Sequence, residues 1–490
     1  MNTPLLSKIK FLNQRQQIGL LLGPILFVVL LVLPQPADMP ANSMQVAAVA
    51  VLMATYWMSE AIPIPATALM PIVLFPILGV MDTSKVTLAY GNHLIFLFMG
   101  GFLIAVTIEK WHLHKRIALR TILLVGVSSN QIILGFMLAT AFLSAWISNT
   151  ATAMMMVTIG LAVIKQAQSH STNVQKNNSS FASALMLGIA YSASIGGIAT
   201  LIGTPPNAIL AGVIESSYGY TIGFAQWMSF GVPLSLIMLG LCWLYLTRFA
   251  FQSEFDELPG GKQSIRRQLD ELGPMSSAEI KVLVVFIMVA AGWLIRGLLD
   301  IQALASVKDS SIAIAGALLL FIIPADFKKG EYLLDWHTAK NIPWDIMILF
   351  GGGFALAGGF ASSGLTEWIA SQLIALQGMN LIVIVLMIVL LVIFLTEITS
   401  NTATSSLLLP VMGAFALAIQ VHPLNLMVAV ALAASFAFML PVATPPNAIV
   451  FSSRQVSIPQ MARAGLWLNI IGSVLITLFV IFYLPKIFEL

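Results

Sequence analysis

The sequence predicts an all-α polytopic membrane protein made of two inverted repeats, with about eleven transmembrane helices and two re-entrant hairpins. Three observations predict it. Of 490 residues, 59% are hydrophobic and 9% charged, with a mean hydropathy of +0.94, whereas charged residues make up near a quarter of a soluble domain. Apolar windows recur along the whole length, most of them long enough to cross roughly 30 Å of hydrocarbon. Polar motifs also return: Ser148-Asn149-Thr150-Ala151 reappears as Ser400-Asn401-Thr402-Ala403, and Phe98-Met99-Gly100-Gly101-Phe102 as Phe350-Gly351-Gly352-Gly353-Phe354, both 252 residues on (400 minus 148, 350 minus 98). Gly203-Thr204-Pro205-Pro206-Asn207-Ala208-Ile209 is likewise answered by Ala443-Thr444-Pro445-Pro446-Asn447-Ala448-Ile449. Self-similarity of this kind marks an internal duplication.

Residues 1-43 form an N-terminal segment and the first span, with Lys8, Lys10 and Arg15 ahead of an apolar run from Ile18 to Leu33. That run superficially has the form of a secretory signal, but the remaining segments are best accommodated when it stays as a crossing. The first repeat, 44-247, holds spans near 44–59, 64–80, 93–109, 183–214 and 229–247. The stretch Lys110 to Arg120, with Trp111, Leu113 and Ile117 among its charges, reads as a helix along the cytoplasmic surface. A charged linker, 248-279, contains Pro259-Gly260-Gly261. The second repeat, 280-490, holds spans near 280–297, 310–324, 344–362, 424–452 and 464–485, with Leu365 to Leu376 as the outer-face counterpart of the surface helix. Two stretches, 130–164 and 381–419, are too long for one span and carry the Ser-Asn-Thr knots in their middles. Each reads as two short helices that enter and return on the same side.

The basic residues test this scheme, since Lys and Arg favour cytoplasmic loops. With the N-terminus inside, 19 of the 23 are cytoplasmic, and Lys85, Arg296, Lys308 and Lys486 are outside. Treating either knotted stretch as a single crossing inverts everything after it and destroys the bias. Five crossings per repeat force the second to start from the opposite face, so the repeats are inverted, as in secondary transporters. The expected location is the plasma membrane, or the inner membrane of a bacterium. The net charge of +3 comes from loops and implies no nucleic-acid partner. Cys242 stands alone in an apolar run and cannot form an internal disulfide.

In the bilayer, non-helical backbone is tolerated only where it lines a cavity or is buried in protein. The Thr-Pro-Pro motifs remove backbone donors and break their helices, which frees carbonyls for a cation and exposes the amides of the next half-helix to an anion. Asn, Ser and Thr at the knots both donate and accept. Small polar residues also glue membrane helices together without further function, but four motifs matched pairwise favour a binding site. No basic residue is available there: from Met379 to Ser453 the only chargeable side chains are Glu397 and His422, and from Ser128 to Ile164 there are none. A bound carboxylate then needs helix dipoles or co-bound cations, which argues for cation coupling. Glu397 is a functional candidate by its position, or alternatively a pin for its hairpin.

At these residues the sequence resembles the divalent anion/sodium symporter family, in its dicarboxylate branch. The likeness extends through Ala434 to Val450 and through Ser59-Glu60-Ala61-Ile62-Pro63 with Thr67-Ala68-Leu69. The resemblance implies two sodium sites flanking one substrate: Ser144, Ser148, Asn149 and the Gly203 carbonyl for the first, and Thr396, Thr399, Asn401 and the Ala443 carbonyl for the second. Thr399 stands where relatives vary, which matters little if its backbone oxygen is the ligand. The substrate's carboxylates would meet Asn149, Thr150, Asn401 and Thr402, with Ser148, Ser400, Thr204, Thr444 and Pro445 beside them. The resemblance further implies a homodimer with an elevator-type transport domain, Na+ as co-transported ion, and a C4 dicarboxylate such as succinate, malate or fumarate as cargo. A sodium-independent exchanger and a sulfate or citrate carrier remain alternatives on the same fold. An enzyme is not expected, because the six His residues are scattered and show no His-Glu-x-x-His arrangement. Hairpins opening from opposite faces suit alternating access better than a channel.

Overall fold

A computed structural model of the chain describes residues 13–490 apart from 37, 127, 170–179, 253–260, 300–305 and 375–376. Lys8, Lys10 and Lys176, and Pro259-Gly260 of the linker, lie outside the described residues. The first span is α1 (Gln14–Val32), followed by α2 (Ser43–Ser59), the short helices α3 (Ile64–Thr67), α4 (Met70–Ile77) and α5 (Thr83–Tyr90), then α6 (His93–Lys110) and the surface helix α7 (Leu113–Val125). The first hairpin is α8 (Ser129–Ser144) and α9 (Asn149–Ser169), and the repeat closes with α10 (Ser180–Gly197), α11 (Pro205–Tyr218) and α12 (Phe224–Tyr245). Linker helix α13 (Gly261–Glu271) leads to α14 (Ser277–Leu298), α15 (Asp309–Ile322), a small antiparallel pair β1 (Pro324–Asp326) and β2 (Glu331–Tyr332), α16 (Trp336–Ala339), α17 (Trp344–Ser363) and α18 (Leu365–Gln372). The second hairpin is α19 (Leu381–Thr396) and α20 (Asn401–Ala418), followed by α21 (Pro423–Ala434), α22 (Pro445–Ser452), α23 (Ile458–Leu478) and α24 (Leu484–Phe488).

Among the described residues, eight helical segments are long and apolar enough to cross a membrane alone, and one of these, Asn401–Ala418, is a hairpin arm. Three of the windows read from the sequence are divided, and proline is the physical reason. Windows 183–214 and 424–452, each read as one span, divide into α10 and α11 and into α21 and α22, because Pro205 and Pro445 open the second half-helix of each pair. Window 64–80 divides in the same way before Pro71.

The glycine motifs let helices approach backbone to backbone. A Cβ on Gly100 would stand 2.6 Å from the Ala313 backbone of α15, and one on Gly352 would collide with Ala68, the close contact that small residues permit between membrane helices. Phe98 and Phe350, equivalent residues of the two repeats, meet edge to face with ring centroids 4.9 Å apart. The halves also pack through each other: α9 lies on α22, α20 on α11, and α6 on α15.

Helix α7 is anchored to the linker by one ion pair. Arg116 Nε donates to Glu279 Oε1 at 2.8 Å and Nη1 to the Gly273 carbonyl at 2.8 Å, with side chains only 4% and 7% exposed. Truncating one member of a buried pair leaves the other unpaired at a cost of about 3–5 kcal/mol, whereas replacing both with apolar groups is often near neutral. Arg116→Ala is therefore expected to lower the melting temperature in detergent, and Arg116→Met with Glu279→Met to recover much of the loss. A single variant melting like the unmodified protein would show that the linker is held elsewhere.

Candidate functional site

The two knots and both helix breaks face one cavity of about 500 Å³. Its lining includes Ser148, Asn149 and Thr150 from the first hairpin, Thr399, Ser400, Asn401 and Thr402 from the second, Gly203, Thr204 and Pro205 from the first break, and Ala443, Thr444 and Pro445 from the second. Phe98, Phe102, Ile202, Ile346, Ile398 and Val442 supply apolar wall, and Glu60 is the one charged residue among those lining it. Ser144 and Thr396, expected as ligands, do not line the cavity. They lie directly behind it, fully buried.

Four helices begin at this cavity: α9 at Asn149, α11 at Pro205, α20 at Asn401 and α22 at Pro445. Each N-terminus presents the positive end of a helix dipole; α9 and α20 add first-turn amides without intrahelical partners, whereas α11 and α22 begin with two prolines that carry no N–H. Ser148 Oγ accepts from Ala151 N at 3.4 Å and Thr444 Oγ1 from Asn447 N at 3.3 Å, whereas Ser400 and Thr204 make no side-chain cap bond. A cavity without Lys or Arg thus still favours an anion.

Behind each knot sits an equivalent cluster of oxygens. Ser144 Oγ lies 2.7 Å from the Ala193 carbonyl and also contacts Asn149 Oδ1. Thr396 Oγ1 lies 3.3 Å from the Ala434 carbonyl and 2.7 Å from Asn401 Oδ1. A hydroxyl has one proton for two acceptors, so each cluster keeps at one point an oxygen that this proton does not satisfy. A hard cation satisfies such a point. At the first cluster a Cβ on Gly197 would sit 3.0 Å from the Asn149 amide and 3.1 Å from the Gly203 carbonyl, which places the break against the knot. Among the described residues no cluster of three His, Cys, Asp or Glu exists, so the donor set suits an alkali cation better than a transition metal.

Three features were not assigned roles from the sequence. Asn207 and Asn447, both fully buried, brace the breaks identically: Asn207 Nδ2 donates to the Thr200 carbonyl at 2.8 Å and Asn447 Nδ2 to those of Leu440 at 3.0 Å and Ala437 at 3.1 Å. Their recurrence in both Pro-Pro-Asn motifs was the available signal. Glu397, left between two roles, is a pin: Oε1 accepts from Met439 N at 2.9 Å and Asn469 Nδ2 at 2.7 Å, and Oε2 from Leu440 N at 3.0 Å. Finally, His93, Glu215 and Lys308 gather at one end of α6, α11 and α15, with Glu215 2.9 Å from His93 Nε2 and 3.0 Å from Lys308 Nζ. The sequence separates these three by more than 90 residues at each step and gives no sign of the contact.

The fold is shared with two solved transporters, the YdaH transporter of Alcanivorax borkumensis (TM-score 0.58, 12% identity, 91% of this chain and 99% of that one) and MtrF of Neisseria gonorrhoeae (TM-score 0.56, 12% identity, 98% of each chain). Sequence similarity is much closer to the sodium-dependent dicarboxylate transporter SdcS of Staphylococcus saprophyticus, 47% identical over 483 residues, covering 98% of this chain and 93% of the relative. The protein of the same name in Staphylococcus aureus strain USA300 is 47% identical over 488 residues with the same coverage. Residues 14–489 match the family model described as the sodium:sulfate symporter transmembrane region. The chain therefore belongs to the sodium:sulfate symporter family of membrane transporters, and it is not an enzyme.

Proposed function

We propose that this chain imports C4 dicarboxylates such as succinate, malate or fumarate, coupled to sodium. One observation carries the reading: four helix N-termini surround a cavity that has no Lys or Arg in its lining and is flanked by two equivalent oxygen clusters. The dianion lies between the N-termini against Asn149, Thr150, Asn401 and Thr402, bordered by Ser148, Ser400, Thr204, Thr444 and Pro445. One sodium occupies the cluster of Ser144, Ser148, Asn149 and Gly203, the other that of Thr396, Thr399, Asn401 and Ala443. A bare dianion is very costly to carry across hydrocarbon, and two cations neutralise it. The relatives' names attach the same pair of solutes to this architecture.

In this reading the repeats are inverted and the N-terminus is cytoplasmic. Glu60 and Ile346 then border the cavity from cytoplasmic helix ends, so the site is open inward. Hairpins, breaks and their braces move as one elevator-type body, while spans such as α2 and α14 stay fixed and hold a homodimer. Proteoliposomes of the purified protein are expected to accumulate labelled succinate under an inward sodium gradient and to stop when sodium is replaced by potassium. Uptake indifferent to sodium would establish the exchanger instead, and competition by sulfate or citrate in preference to C4 acids would reassign the cargo.

A further inference from the structure

The hairpin tip and the unwound loop of each half are joined at the same place by different chemistry. Ala145 and Glu397 each cap the C-terminus of the first hairpin arm and are 252 residues apart, as the knots are (397 minus 145). Thr200 and Leu440 each stand four residues before Thr-Pro-Pro and are 240 apart, as Thr204 and Thr444 are (440 minus 200, 444 minus 204). In the first half, Thr200 Oγ1 donates to the Ala145 carbonyl at 2.5 Å. In the second, Leu440 N donates to the Glu397 carboxylate at 3.0 Å. The carbonyls of the same two loop residues accept from Asn207 and Asn447, so each node is held from both sides. Three residues further on lie Gly203 and Ala443.

We propose that Thr200 and Glu397 are the positioning residues of the two sodium sites, each fixing the loop so that the Gly203 or Ala443 carbonyl points at its own cation. This rests on the sodium-coupled reading above. Neither side chain lines the cavity, and each acts through backbone. An unwound segment has no helical ladder to aim its carbonyls, so a cross-link from the hairpin tip supplies the aim. The node also explains the asymmetry of the halves. Where the first half has a hydroxyl in the loop, the second has backbone alone, and the hairpin must supply the acceptor from a side chain. All the bonds that Glu397 makes here are ones in which it accepts, as a carboxylate does.

The test is sodium activation of succinate uptake in proteoliposomes, measured with sodium-dependent thermal stabilisation of the same variants. Thr200→Val keeps the shape and removes the hydroxyl; it is expected to raise half-saturating sodium about tenfold, the effect of one lost buried hydrogen bond. The maximal rate and succinate KM at saturating sodium should stay near those of the unmodified protein, and Thr200→Ser should restore the curve. Glu397→Gln should shift half-saturation at least as far, and the double variant should combine both shifts, because the nodes belong to separate sites. A merely structural role predicts the opposite split, a lower maximal rate at unchanged half-saturation with no rescue by Ser, and that result overturns the proposal. So do variant curves that superimpose on a sodium-dependent unmodified protein. Should Glu397→Gln fail to accumulate, the Thr200 pair decides alone. An unmodified protein indifferent to sodium overturns the functional reading itself.

Discussion

Alanine in place of Asn149 or Asn401 is expected to reduce sodium-driven succinate uptake by about a hundredfold or more, the largest loss of any single side chain in the cavity. In the proposed reading each amide works on both sides of the site. Its oxygen faces the hydroxyl of Ser144 or Thr396, where the cation is placed, and its residue opens the helix whose amides face the anion. Removing it takes a ligand from the cation and a contact from the dianion, and two such losses of about 1.5 kcal/mol each compound to that magnitude. Half-saturating sodium and succinate KM should rise together. Asn149→Asp separates the two roles: it keeps an oxygen for the cation and adds charge, so sodium should still stabilise the protein against heat while succinate uptake is lost to repulsion. If Asn149→Ala or Asn401→Ala keeps normal uptake at limiting sodium, the shared role is wrong.

The repeats were legible because the residues that make the cavity are short motifs that had to appear twice. Ser-Asn-Thr and Thr-Pro-Pro-Asn each recur intact, and a proline at the first helical position announces a break in any membrane helix. The gathering of both knots and both breaks around one cavity follows from their pairing, and the structure places them there. What stayed hidden are contacts that the repeat does not copy. Thr200 faces Leu440 in the alignment of halves, and Ala145 faces Glu397, so the node has no sequence signature although its geometry is common to both. Asn469, which completes the seat of Glu397 from α23, belongs to no motif. In the sequence Arg116 is one charge among several between Lys110 and Arg120, and only the folded linker shows that Glu279 and the Gly273 carbonyl bury it. Helix lengths were overestimated for the same reason: a hydropathy window integrates over an unwound turn that is itself apolar, as at Ile198 to Ile202.

A reversible cross-link between α6 and α11 is expected to stop transport completely, and the place to put it is the cluster of His93, Glu215 and Lys308. Glu215 lies on α11, which carries Thr204 of the site at its other end. His93 and Lys308 lie at the starts of α6 and α15, which pack on each other through Gly100 and Ala313. With a cytoplasmic N-terminus this cluster is on the outer face, opposite the helix ends at Glu60 and Ile346, so it closes the outside while the cavity is open inward. If the site travels as a body, α11 must leave α6 to expose the cavity outward, and Glu215 must leave His93 and Lys308. His93→Cys and Glu215→Cys, with the buried Cys242 first replaced by alanine, put two shorter thiol side chains on facing positions, separated by the space where ring nitrogen and carboxylate now meet at 2.9 Å. A short bis-thiosulfonate should then reduce succinate uptake to background, and a reductant should restore it, whereas each single-cysteine protein should keep transporting after the same treatment. The cluster itself is a solvent-touched ion pair of modest strength, so its loss in the single variants should shift the balance between inward and outward forms without stopping turnover. Undiminished uptake by the cross-linked double variant would mean that α6 and α11 stay together through the cycle, and the moving body would have to be drawn without α11.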